Sequence, residues 1–283
     1  MESTQLYKPP GSQTLDQITI QPQVRLMLQG MPGSGKTWSS LTFPDPIVIN
    51  LDRGLGAHTG RTDVTEVPFY NPSFVDSIYP RTHKTAPPNK RDALLKWLGT
   101  EAHKLSAQQT LVLDGSTGIQ NAFETEYALA PVMSKGVPDN FAPWRLKIEY
   151  FGEIMELLKS LQCHVVYIIH ETPDRDSKGE LNGLVRPLMS GQFADQLASH
   201  FTDSFRCVVH TPPTKETEQK AMEFYGITQT VLQDWYKRMP KQAWYMWQSI
   251  SDEKAFCKTS TLIGAPKFIP AVYDMFSVYR RKV

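Results

Sequence analysis

Apolar positions along the chain fall into two rhythms. Short, nearly unbroken runs are the first: VRLML (24–28), IVINL (47–51), TLVLD (110–114), CHVVYII (163–169) and DSFRCVV (203–209). Runs of this length, separated by helical patterns, predict strands buried on both faces of a mostly parallel sheet. The second rhythm is helical. Leu94, Leu95, Leu98, Ala102 and Leu105 recur at three- and four-residue spacing, and Trp144, Ile148, Phe151, Met155, Leu158 and Leu161 draw one stripe along a later helix. Both stripes read as cover for the sheet. Strand, crossover helix and strand in alternation give an α/β fold, a central sheet flanked by helices.

Polar stretches set the boundaries. Residues 1–22 carry three prolines and mostly polar side chains, and read as an irregular lead-in; residues 23–283 read as one domain, with a C-terminal extension over about 211–283. Three excursions interrupt the pattern: the basic, proline-rich PRTHKTAPPNKR (80–91), residues 131–143, and ETPDRDSKGELNGLVRPL (171–188), which is expected as a loop directly after a strand. In the extension, QAWYMWQS (242–249) and AFCKTS (255–260) flank a polar SDEK and predict a two-stranded β-ribbon. Pro270 then introduces a closing helix through Val272, Phe276 and Tyr279. Trp235, Trp244 and Trp247 are expected to fill a core, with an interface as the alternative.

Composition narrows the classes. The 283 residues hold 30 basic and 29 acidic side chains, a net charge of +1, so no whole-molecule field attracts nucleic acid and any such contact must be local. Cys163, Cys207 and Cys257 are too far apart for a CxxC metal knuckle, and their odd number argues against a disulfide framework; a reducing cytoplasm is the expected compartment. The amino terminus lacks a basic-then-apolar leader pattern, and no apolar run approaches spanning length, so no membrane partner is expected.

The strongest chemical signal is GMPGSGKT (30–37), a complete G-x-x-x-x-G-K-[ST] placed after a strand and before a helix. Glycines let successive backbone amides curl around phosphate oxygens. Gly30, Pro32, Gly33, Ser34, Gly35, Lys36, Thr37 and Trp38 are the expected nucleotide contacts. Lys36 is expected on the β- and γ-phosphates, and Thr37 with Asp114, at the end of TLVLD, on Mg²⁺. Asp52, after IVINL, is the candidate for orienting or polarising water, with Asn50 as rival. His170, in VVYIIHE, is a candidate sensor of the γ-phosphate, and Glu171 a further candidate for activating water.

In that order, GMPGSGKT, NLDRG, TLVLDG and YIIHE resemble the RecA-like core ATPases of bacteriophages, a group of single-strand annealing or recombinase-like proteins placed with AAA-type P-loop domains. The family's second strand commonly ends in a D-x-E-G-like sequence; here Asn50 stands at the aspartate and Asp52 at the glutamate, one methylene shorter. The segments VRPLMSGQFADQLASHFTDSFRCV and KTSTLIGAPKFIP are similar to later family stretches, so the likeness spans about residues 24–275.

The resemblance implies a RecA-like P-loop NTPase converting ATP and water to ADP and phosphate with Mg²⁺. It also implies a homo-oligomer that binds single-stranded DNA in phage-type recombination or strand annealing, with a single-strand DNA-binding protein as a further partner. Lys178 and Arg186 are the candidate DNA contacts, and Arg81, Lys84, Lys90 and Arg91 a second basic cluster; ordinary solvated charge is the alternative for both. Lys258 and Arg206 are candidates for a cation donated between subunits. A nucleotide-gated assembly module with little hydrolysis is the competing reading, because of NLDRG.

Overall fold

A computed structural model describes residues 23–81, 83, 86–129, 133–134, 137–139, 142–175, 178–189, 193–239, 241–253, 255–262 and 264–280. The lead-in 1–22 and Lys84 lie outside them. Strand β1 (Arg25–Gly30) feeds helix α1 (Lys36–Ser40), followed by β2 (Pro46–Asn50), β3 (Thr65–Pro68), α2 (Pro72–Ile78), α3 (Lys90–Thr100), β4 (Thr110–Asp114) and α4 (Ser116–Leu129). A short pair, β5 (Met133–Ser134) and β6 (Val137–Pro138), precedes α5 (Ala142–Ser160), β7 (His164–Arg175), β8 (Leu181–Pro187), α6 (Phe193–Gln196) and β9 (Asp203–His210). Then come α7 (Glu218–Tyr225), α8 (Gln229–Arg238), β10 (Trp244–Gln248), β11 (Lys258–Thr259), β12 (Phe268–Pro270) and α9 (Tyr273–Tyr279).

The fold is mixed α/β around a mostly parallel sheet ordered β12-β10-β9-β1-β7-β4-β2-β3. From β9 to β3 every neighbouring pair is parallel. Alternation along the strands explains the unbroken apolar runs. Met27, Ile49, Leu111, Leu113, Val165 and Tyr167 face a core made with α3, α4 and α5. Leu26, Leu28, Val48, Val112, Val166 and Ile168 face the opposite core, with Phe43, Trp247 and Phe276. Both sets are excluded from water, so the middles of the central strands are apolar on both faces, and buried polar residues such as Gln29, Asn50 and Asp114 stand toward the strand ends.

Four features differ from the sequence expectation. β10 and β11 do not form a ribbon with each other: β10 lies between β9 and β12, and β11 pairs with the start of β9, so both extend the main sheet. Pro270 ends β12 and the final helix starts after it. Stretch 171–188 is no loop, because β7 continues to Arg175 and folds back as β8. On α5 the early part of the stripe is out of phase: Ile148 is 47% exposed, while Tyr150, Phe151, Ile154, Met155 and Leu158 are buried. Trp235 and Trp244 are buried in a C-terminal core and Trp247 in the core on one face of the main sheet, so all three fill a core as expected.

Candidate functional site

The phosphate-binding motif occupies the turn from β1 to α1, at the carboxyl edge of the parallel strands, where open α/β sheets place their ligands. Gly33 and Gly35 have φ of 78° and 83°, left-handed values that glycine adopts without strain. Space is as demanding as torsion: a Cβ on Gly30 would lie 2.5 Å from Ser34 Oγ and 2.7 Å from the Cys207 carbonyl oxygen. Helix α1 is only five residues long, so the loop amides, rather than a long helix dipole, supply most of the positive potential.

Lys36 is 5% exposed and folds back over the loop, donating to the carbonyl oxygens of Gly30 and Met31 at 2.8 Å each. Burial pushes its ammonium pKa below the usual lysine range, and the nearby Asp114 and Glu171 carboxylates oppose that shift. Thr37 Oγ1 donates to Asp114 Oδ2 at 2.8 Å, joining the loop to the end of β4. Burial raises the Asp114 pKa, Thr37 donation lowers it, the Asp52 charge raises it and Lys36 lowers it.

Asp52 sits on an exposed turn held by its neighbours. Asn50, 2% exposed, donates to Glu66 at 2.6 Å and accepts from the Gly54 amide at 3.2 Å. Asn50 therefore has both ends of its amide engaged in shaping the turn. A Cβ on Gly115 would lie 3.4 Å from Asp52 Cγ, so the carboxylate borders the segment after Asp114. A cavity of about 320 Å³ opens beside Asp52, lined also by Lys90, Thr117, Gly118 and Asn121.

His170 pairs in register with Gly30 and is the last β7 residue bonded to β1. The next residue, Glu171, is already paired with β8, so His170 stands at the junction of sheet and hairpin. Its carbonyl accepts from the Leu188 amide at 2.6 Å. Burial, then the Lys36 charge, lowers its pKa, which favours a neutral imidazole. Its Nδ1 is buried without a partner, as is Ser34 Oγ in the loop.

Several other candidates are engaged within the chain. Glu171 and Arg206 form a two-pronged ion pair, with both hydrogen bonds at 2.9 Å and the Glu171 side chain 1% exposed. This removes Glu171 as a water activator and Arg206 as a free cation. Lys258 donates to the Phe201 carbonyl at 2.8 Å. Arg81 bonds Asp76 and the Ala86 carbonyl, and Arg91 pairs with Asp92, so the two arginines of the second basic cluster are each paired with a carboxylate. Arg186 lies on β8, 3.3 Å from Asp174, and Lys178 is exposed near the same hairpin. Sequence reasoning missed the Glu171–Arg206 pair and the position of Tyr245 against the loop; neither has a signature motif.

The donors fit a hard cation held partly by substrate. Thr37 and Asp114 bring two oxygens together, and the described residues hold no cluster of three or more His, Cys, Asp or Glu for an all-protein metal cage. Mg²⁺ in phosphate sites commonly takes one or two protein oxygens and completes its shell with phosphate and water. Among the described residues no helix is long and apolar enough to cross a membrane.

The AAA domain family matches residues 23–228. No curated protein matches the chain. Among solved structures, the assembled ATPase EscN from the type III secretion system of enteropathogenic E. coli aligns at 12% identity and a TM-score of 0.34, covering 70% of this chain and 45% of that one. The same ATPase in complex with its central stalk EscO aligns at 12% identity and a TM-score of 0.36, covering 69% and 43%. The chain thus spans less than half the length of those ATPase chains.

Proposed function

The chain belongs to the AAA domain family and is a P-loop ATPase; on that premise, we propose that it hydrolyses ATP with Mg²⁺ and couples turnover to single-stranded DNA, as a homo-oligomer in phage-type recombination or annealing. One observation carries the catalytic part: the Thr37–Asp114 hydrogen bond at 2.8 Å beside the buried Lys36 ammonium. Loop amides and Lys36 bind and orient the phosphates, while Thr37 and Asp114 would hold Mg²⁺. Bound there, the cation supplies charge neutralisation on the transferred phosphoryl group. Asp52 orients the attacking water by accepting its hydrogen bond. Neutral His170 donates a hydrogen bond at the terminal phosphate and relays its presence to the hairpin through the backbone it shares with Glu171.

Residues 23–283 are taken as one ATPase unit, since β10 and β12 continue the sheet past the matched segment. The DNA part rests on the sequence resemblance together with Lys178 and Arg186 lying on the hairpin that begins beside His170. Assembly is proposed from the sequence resemblance; Arg206 and Lys258, the candidates for a cation donated between subunits, are engaged within the chain, so a donated cation would come from another residue of the neighbouring copy. The protein would work in a reducing cytoplasm, with a single-strand DNA-binding protein as a further partner. The test is phosphate release from ATP and Mg²⁺ at low salt, with and without single-stranded DNA. No release under either condition sinks the catalytic reading, and release indifferent to DNA sinks the coupling.

A second reading has its own support. Asn50 is bound to Glu66, and Asp52 Oδ1 accepts from the Gly54 amide at 3.2 Å, which leaves a short carboxylate partly occupied. A nucleotide-gated assembly module with slow hydrolysis follows from that geometry. Fast turnover by the protein alone would exclude it.

A further inference from the structure

The phosphate loop has an aromatic flank that its motif does not require. Trp38 stands two residues beyond Lys36, and its ring packs on Tyr245 with centroids 5.4 Å apart and planes inclined by 36°. Tyr245 belongs to β10, where register with Val209 and a 2.9 Å bond from the Ala271 amide to its carbonyl fix its backbone. Its ring lies against the loop so closely that a Cβ on Gly35 would come within 2.4 Å of Cδ1. Both rings are half-buried, so each keeps accessible surface beside the phosphate cradle.

Sheet order separates the two ends of a bound nucleotide. Asp114 ends β4, Asp52 follows β2 and His170 lies on β7, all to one side of β1; β9 and β10 lie to the other. With its terminal phosphate toward Lys36, Thr37 and Asp114, a nucleoside triphosphate extends its sugar and base toward β10. We propose that Trp38 and Tyr245 form the subsite for the base, holding a planar heterocycle by stacking; this deepens the ATPase reading and rests on it. Stacking reads the flat face of a base and not its edge. The subsite therefore takes adenine and guanine alike, and favours both over a single-ring pyrimidine.

The test is calorimetric binding of ATP, CTP and inorganic tripolyphosphate, each with Mg²⁺, to the wild type, Trp38→Ala, Tyr245→Ala and Tyr245→Phe. Loss of one stacking partner is expected to weaken ATP by about tenfold. Tripolyphosphate affinity stays unchanged, Tyr245→Phe behaves as wild type, and wild type binds CTP more weakly than ATP. Unchanged ATP affinity in both alanine variants overturns the proposal. So does an equal loss for ATP and tripolyphosphate, which would mean that the rings only hold the loop's shape. Wild type binding tripolyphosphate as tightly as ATP removes the base subsite and leaves the phosphate site standing, whereas binding of neither removes the ATPase reading itself.

Discussion

Lys36 spends two of its donors on the loop's own carbonyls, those of Gly30 and Met31, so the ammonium is held where a phosphate would meet it. Hydrogen bonds to charged groups are worth about 1.5–3 kcal/mol each, and Lys36→Ala should weaken ATP by about a hundredfold or more. The same change removes a buried charge, so the melting temperature should hold; calorimetry and thermal melting of one preparation check both, and an ATP affinity within a few-fold of wild type contradicts the assignment. Asp52→Asn keeps the turn's hydrogen-bond geometry and removes the negative charge, so turnover should fall by about a hundredfold while ATP affinity is spared. Parallel loss of both would make Asp52 a binding residue. The loop was legible because only glycine and lysine satisfy its torsions and chemistry in that order. The Glu171–Arg206 pair was not, since its partners lie 35 residues apart and meet only because β7 and β9 flank β1 on either side at its Gln29–Gly30 end.

Central strands announced themselves because burial on both faces calls for an unbroken apolar run, as in TLVLD, whose five residues are all buried and whose polar members stand at the two ends. Strand β3 was missed for the opposite reason: in TEVP only Val67 is buried, so it carries neither an apolar run nor a clean alternation. The β7–β8 hairpin was hidden likewise, since β8 is mostly exposed and reads as a polar loop. Its root is the Glu171–Arg206 bridge, which ties β7 to β9. Glu171→Ala leaves Arg206 partly buried without its carboxylate and should cost about 3 kcal/mol of folding stability, read from urea unfolding; a change below about 1 kcal/mol would mark the pair as solvated. A second element-level device joins β7 to the chain entering β1: the Val24 amide donates to His164 Nδ1 at 2.9 Å. Burial, then the Arg280 and Arg25 charges, lowers the His164 pKa to about 4 from 6.5. The unfolded chain therefore binds this proton first, so the contribution is complete above pH 6.5 and is lost as pH falls toward 4. The raised Asp114 pKa acts with the opposite sign. Comparing wild type with His164→Gln, which keeps an acceptor for Val24, isolates the histidine: the melting temperature of the variant should fall less steeply across that window, and coincident slopes would refute the assignment.

For the molecule as a whole, a net charge of +1 means that DNA affinity must arise from a local surface. The hairpin is the surface that shares a strand with the nucleotide site, because β7 runs from its pairing with Gly30 at His170 directly into its pairing with β8. Arg186 begins paired with Asp174 at 3.3 Å while about half exposed, an ion pair worth little in water and readily exchanged for a phosphate. Two cations on a single strand contribute a slope of about −1.4 in log affinity against log salt. The slope measured with ATP and Mg²⁺ should therefore become shallower by about that amount in the Lys178→Ala/Arg186→Ala double variant. ADP should weaken the wild type, since the proposed sensor at the hairpin's root, His170, then has no terminal phosphate to meet. Recording particle size in the same titration tests whether the DNA-bound form is an oligomer. An unaltered slope in the double variant moves the DNA contact off the hairpin, and equal affinity with ATP and ADP breaks the link between His170 and the arm it supports.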